Sequence, residues 1–210
     1  DKDAFYRAGA PVGELADATV GIVGFGGVGR EVARRVAALG ARVLAVGRSP
    51  AGPATADLEA LVGGGRLGER IDVLHGRDGL DTVLRGSDIL VLAAPETVET
   101  RGMIGARAQE QVKEGALLVN VARGKLVDEA ALVRSLKSGR LRGAGLDVFA
   151  HEPLPGDHPL WSLPNVLITP HVSGVTRGFW HRETALMTEN VRRYLGGEPL
   201  LNLVDKQAGY

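Results

Sequence analysis

The chain has 210 residues, 44% of them hydrophobic, with 25 basic side chains against 25 acidic ones and no cysteine. That length buries a substantial core in one large domain, and the charge balance offers no global field for nucleic acid or an anionic membrane. The missing cysteines exclude disulfides, thiolate metal sites and a cysteine nucleophile, and suit a reducing, cytoplasmic setting. No apolar run approaches the roughly 18 residues that span a bilayer, and the charged residues 1–7 lack the apolar stretch of a secretory signal.

Apolar runs of about five residues alternate with longer helical patterns, the form of repeated βαβ units and a parallel sheet. The order opens with a strand at 19–23, a helix at 28–39 carrying Val32, Val36 and Leu39 on one face, and a strand at 42–46, with Gly40 punctuating helix from strand. Residues 50–70, rich in Gly and Ala with one helical stretch at 58–62, read as a surface excursion. Further strands are expected at 71–74, 88–92, 117–121, 143–147 and 166–168, with helices in the gaps, the clearest at 128–137. A last helix at about 178–195 leads into Gly196-Gly197 and a tail whose Leu200, Leu201, Leu203 and Val204 need something to pack against.

Gly24-Phe25-Gly26-Gly27-Val28-Gly29 follows the first strand at once and opens the first helix. In that context the first glycine permits a tight turn, the second lets the backbone approach a pyrophosphate, and the third lets helix and strand pack closely, with the helix N-terminus facing the anion. The expected fold is therefore a doubly wound α/β sheet of the Rossmann type that holds a dinucleotide. In such a sheet all strand carboxyl ends lie on one edge, where ligands bind. Polar residues cluster at those ends: Arg123 after 117–121, Asp147 and Glu152 after 143–146, and His171 after 166–168. A planar cation, a carboxylate and an imidazole are the set that carbonyl reduction needs, for holding the substrate oxygens, orienting the acid and delivering a proton. Blander roles compete: Arg123 as a carbonyl cap, Glu152 as a solvated turn acid, Asp147 as a turn cap, and His151 or His158 as the histidine that matters. His75 and His181 read as lying away from this edge, and Trp161 and Trp180 as packing residues.

The motifs GIVGFGGVGR (21–30), PETVETRGMIG (95–105), VNVARGKLVDEAAL (119–132), GAGLDVFAHEPLP (143–155) and NVLITPHVSG (165–174) resemble the D-2-hydroxyacid dehydrogenase family almost from end to end. The resemblance implies that Arg123 binds the substrate carboxylate and carbonyl, that Glu152 pairs with His171, and that His171 is the acid/base. It implies a cofactor site made by Gly24, Gly26, Gly27, Val28 and Gly29 at the pyrophosphate and by Ala94, Pro95, Thr100, Val121, Ala122 and Arg123 along the cofactor. Asp147, looking to the nicotinamide carboxamide, His171 and Gly174 complete that set. No metal is implied. A homodimer is expected from the same resemblance, acting on a small 2-oxo or 2-hydroxy acid such as glyoxylate or hydroxypyruvate. The alternatives are a nucleotide-sensing protein of the corepressor type, or a cofactor-binding fragment inactive without a substrate domain.

The resemblance also implies a second, substrate domain. Residues 1–18 look like a linker helix and lead-in, 19–196 like the dinucleotide-binding domain, and 197–210 like a tail returning toward that second domain. Cofactor choice is read at the end of the second strand, where NAD-specific sites place an acid about 20 residues after the glycines. Here the stretch is Val46-Gly47-Arg48-Ser49. With no acid, and with Arg48 and Ser49 offering a cationic fork and a hydroxyl to a 2′-phosphate, the expectation is NADP(H) over NAD(H). The competing possibility is that Asp57 swings in to hold the ribose hydroxyl.

Overall fold

A computed structural model of the chain describes residues 13–48 and 70–207. The excursion expected at 50–70, with its stretch at 58–62, lies outside the described residues apart from Arg70, as do Ser49, Asp57 and most of the expected linker helix; of 1–18, only 13–18 are described, with a short 3-10 turn at Leu15–Asp17.

Among the described residues seven strands form one sheet in the order β3-β2-β1-β4-β5-β6-β7, and every pairing is parallel. The strands are β1 Thr19–Val23, β2 Arg42–Gly47, β3 Ile71–His75, β4 Ile89–Leu92, β5 Ala116–Asn120, β6 Leu141–Leu146 and β7 Val166–Ile168. The helices are α1 Gly27–Ala38, α2 Gly76–Gly86, α3 Ala106–Gln111, α4 Glu129–Lys137 and α5 Phe179–Leu195. The order reverses between β1 and β4, so the crevice for a ligand opens at their carboxyl ends.

Alternating side chains bury both faces. Val20 and Ile22 of β1, with Val43 and Ala45 of β2, pack on the side of Ala33 and Ala37 from α1, while Val23, Leu44, Val46, Leu90 and Leu92 join Val83, Leu84, Leu132 and Leu136 from α2 and α4 on the other. Each valine, leucine or isoleucine among them, withdrawn from water, contributes roughly 1.5–3 kcal/mol, which fixes the register because a slip by one residue would exchange the faces. Gly21 interrupts the run because a β-carbon there would lie 1.9 Å from Ser87 Oγ and 2.9 Å from Val83 Cγ1, so α2 could not approach β1.

Asp88, expected to open β4, stands just before it. Its Oδ2 accepts from the Thr19 amide at 2.9 Å and its Oδ1 pairs with Lys113 at 2.5 Å. α4 begins where the sequence puts it because Asp128 caps it, Oδ1 accepting from Ala131 N at 3.0 Å. α5 has no buried residue; Trp180 on it is 74% exposed, touching Phe179 edge to face, and Trp161 is 53% exposed, so neither expected packing residue is buried among the described residues.

Candidate active site

The turn after β1 uses its glycines in three different ways. Gly24 sits at φ +99°, and a β-carbon there would fall 2.4 Å from Ala94 N, so the chain leaving β1 touches the chain leaving β4. Ala93 N donating to Val23 O at 2.8 Å fastens the same contact, and Gly24 N donating to Val46 O at 2.9 Å ties the turn to β2. Gly29 presses α1 onto the turn, since a β-carbon would lie 2.0 Å from Gly24 O. Gly26 and Gly27 face open space, with nothing within 4 Å. That leaves an unobstructed cradle in front of the first amides of α1, which fits a pyrophosphate and which a side chain at Gly26 would fill.

The flanks of this crevice follow from their strands. Ala94 and Ala122 are buried, Val121 and Pro95 half-buried, and Val28 exposed. Thr100 Oγ1 donates to Pro95 O at 2.6 Å and accepts from Thr97 N at 2.8 Å, so its hydroxyl shapes the 95–100 loop. At the far side β2 ends on Gly47, and Arg48 follows it, exposed.

Arg123 leaves the end of β5 through a turn that Asn120 builds. Buried Asn120 donates from Nδ2 to Arg123 O at 3.0 Å and accepts from Ala122 N at 3.1 Å. Arg123 itself donates to Ala122 O at 2.7 Å and keeps its guanidinium at the surface. Gly124 then lies flat against the next loop, because a β-carbon would be 1.8 Å from Phe149 C. This contact seats the Arg123 turn beside the turn that carries Glu152.

Glu152 accepts from Phe149 N at 2.9 Å through Oε1, and its Oε2 lies 2.7 Å from His171 Nδ1. Burial alone would raise its pKa; the Phe149 amide, the His171 ring and the positive charges of His171 and Arg123 outweigh that and hold it below the usual carboxylate range. Glu152 is thus an anion that accepts the Nδ1 hydrogen, leaving Nε2 as the nitrogen able to exchange a proton with a ligand. Both side chains keep part of their surface in solvent, 36% for Glu152 and 48% for His171.

His171 occupies the left-handed region at φ 55°, and Asp147 holds it there. The Asp147 carbonyl accepts from His171 N at 2.8 Å; Oδ1 accepts from Thr169 Oγ1 at 2.6 Å and Val172 N at 2.9 Å, and Oδ2 from Ser173 N at 2.9 Å. Burial would raise this acid too, but hydroxyls of Ser173 and Thr169 and the amides of Val172 and Ser173 hold it far below the ordinary range. The carboxylate expected to face a nicotinamide carboxamide therefore first organises the turn that presents His171. Gly174, just beyond, is exposed with open space around it.

The rival histidines separate cleanly. His158 accepts from Leu160 N at 3.3 Å and lies 3.6 Å from Glu129, a loop anchor, and His151 and His181 are exposed. His75 differs from its expectation: β3 runs one residue further than the sequence suggested and ends on His75, at the same carboxyl edge as the glycine turn. Sequence reasoning also missed Asn120, Gly124, Thr169 and Ser173. A polar Asn inside the apolar run 116–121, and Ser or Thr next to a strand-end acid, were the available signals.

A glycine cradle at the switch point, with Arg123, Glu152 and His171 along the same edge, defines a dinucleotide-binding unit equipped for acid/base work on a ligand. The family model for the D-isomer specific 2-hydroxyacid dehydrogenase NAD-binding domain matches residues 2–173. The chain is 36% identical over 191 residues to a glycerate dehydrogenase of Methylorubrum extorquens, covering 90% of this chain and 54% of that protein. It is 39% identical over 189 residues to a glyoxylate reductase of Thermococcus gammatolerans, covering 90% and 52%. A D-isomer specific 2-hydroxyacid dehydrogenase from Xanthobacter autotrophicus Py2, solved in complex with NADPH and MES, superposes with a TM-score of 0.83 at 37% identity, covering 100% of this chain and 83% of the other. The chain belongs to the D-isomer specific 2-hydroxyacid dehydrogenase family, as its NAD-binding domain. It spans about half the length of the curated relatives it matches.

Proposed function

We propose that the protein reduces small 2-oxo acids to 2-hydroxy acids with NADPH, glyoxylate and hydroxypyruvate being the best-fitting substrates. The observation that carries this is the 2.7 Å hydrogen bond between His171 and Glu152 on the strand edge shared with the glycine cradle. When bound, the nicotinamide cofactor supplies the hydride. Arg123 offers a planar fork to the carboxylate and carbonyl oxygen and draws charge toward that oxygen. His171 delivers the Nε2 proton to the same oxygen as charge develops on it, and Glu152 keeps the ring oriented and protonated until then.

Gly24, Gly26, Gly27, Val28 and Gly29 hold the pyrophosphate in this reading, and Arg48 with Ser49 the 2′-phosphate. Ala94, Pro95, Thr100, Val121, Ala122, Asp147 and Gly174 flank the rest. NADPH preference is supported by Gly47 standing where an acid would repel a phosphate, and by the NADPH bound to the Xanthobacter relative. The 2-oxo acid class is supported by the glyoxylate reductase of Thermococcus gammatolerans. We further read the protein as a cytoplasmic homodimer, the absence of cysteine suiting a reducing compartment and the exposed apolar residues of α5 suiting an interface.

The test follows reduced-cofactor absorbance with the full-length protein and a panel of 2-oxo acids, alongside its mass by light scattering at micromolar concentration. Turnover of glyoxylate or hydroxypyruvate with NADPH is expected, at twice the chain mass. Tight NADPH binding with no turnover on any 2-oxo acid would replace the enzyme by a nucleotide sensor.

A further inference from the structure

The parallel register sets His75, the last residue of β3, opposite Gly47, the last of β2. A β-carbon at Gly47 would sit 3.7 Å from Phe25 Cβ and 3.8 and 3.9 Å from Nδ1 and Cε1 of His75. The space in which an NAD-specific site stands its acid is therefore walled on one side by the residue between the first two turn glycines and on the other by an imidazole edge. Among the described residues Nδ1 of His75 is buried with no hydrogen-bond partner. A ring nitrogen held in that state costs free energy, which a turn of the ring toward a ligand atom of matching polarity recovers.

We propose that His75 is a specificity-determining residue for the 2′ position of the cofactor ribose, acting with Arg48 to favour a 2′-phosphate over a 2′-hydroxyl. The inference rests on the reading of this edge as an NADPH site and names a further group within it. A phosphate oxygen is an anionic acceptor, so the imidazole meets it as a donor, and such charge-assisted bonds are roughly twice as strong as neutral ones. A ribose hydroxyl is neutral and gains less from the same ring. Gly47 places no side chain between Phe25 and His75, and an acid there would instead pair with His75 and exclude the phosphate.

The experiment titrates NADPH and NADH, by reduced-nicotinamide fluorescence without substrate, into wild type, His75→Ala, His75→Gln and Arg48→Ala, with circular dichroism checking each fold. His75→Ala is expected to weaken NADPH by about five- to tenfold and to leave NADH within about twofold. His75→Gln, which keeps a donor and some volume, is expected to fall between, and it carries the test if the alanine variant does not fold. Equal effects on the two cofactors, or no effect on NADPH while wild type still prefers it, would overturn the role of His75 alone. A wild type that binds NADH as tightly as NADPH would overturn both this role and the NADPH reading beneath it.

Discussion

His171 has a backbone angle that few non-glycine residues adopt, φ 55°, and a side chain whose Nδ1 is taken by Glu152. Strain of that kind persists only when neighbours over-determine it, and here the neighbours are two acids, Asp147 and Glu152, of the one loop that follows β6. Replacing His171 by Ala removes the proton donor without touching the glycine cradle. The expected outcome is a turnover lower by about 10²- to 10⁴-fold with a far smaller change in NADPH affinity by fluorescence titration, since the proton moves only as the carbonyl is reduced. A matching loss of affinity would mean that the ring serves binding instead. The three residues of this set were legible because each follows a strand end, and in a parallel sheet strand ends converge. Their geometry was not. Nothing in the order of residues says that Gly124 packs so closely on the next loop that a β-carbon would collide with Phe149, which is what seats Arg123 beside Glu152.

The turn from Thr169 to Ser173 is held chiefly by Asp147, whose carboxylate takes two amides and a hydroxyl from it. Because this acid titrates below its unfolded value, its stabilisation is complete above the ordinary Asp range near 3.9 and is lost as pH falls through that range toward the folded value. Glu152 is shifted in the same direction, so its contribution fades in the same acid window. Chemical denaturation from pH 7 to pH 2 should therefore lose stability steeply below about pH 4. Asp147→Asn should flatten part of that loss and cost about 1–3 kcal/mol at pH 7, because its amide group turns a donor toward the Ser173 amide. An acid limb identical in the variant would remove Asp147 from this role. At this scale the strands were readable from their apolar runs, since a strand buried on both faces leaves a continuous signature. Strand ends were less so: a pattern of apolar residues cannot tell that the Asp88 side chain takes the Thr19 amide just before β4, or that β3 continues to His75.

Across the whole molecule the glycine turn is the joint between two half-sheets, since Gly24 at the end of β1 touches Ala94 after β4 where the strand order reverses. A ligand seated there contacts both halves, so unfolding either half abolishes its site and binding stabilises the sheet as a unit. A cofactor present at 100 times its dissociation constant adds about 2.7 kcal/mol to a state that alone binds it. For a domain of this size that corresponds to a rise in melting temperature of roughly 5–10 °C. NADPH should produce that rise, and NADH at the same concentration a smaller one. Gly26→Val separates binding from folding: the backbone at Gly26 is extended, and nothing lies within 4 Å of the added β-carbon, so the variant should melt like wild type without cofactor. With NADPH it should show no rise, because the branched side chain occupies the pyrophosphate cradle. A full rise in the variant would move the cofactor away from this turn and with it the alignment of the cofactor's reactive end with His171.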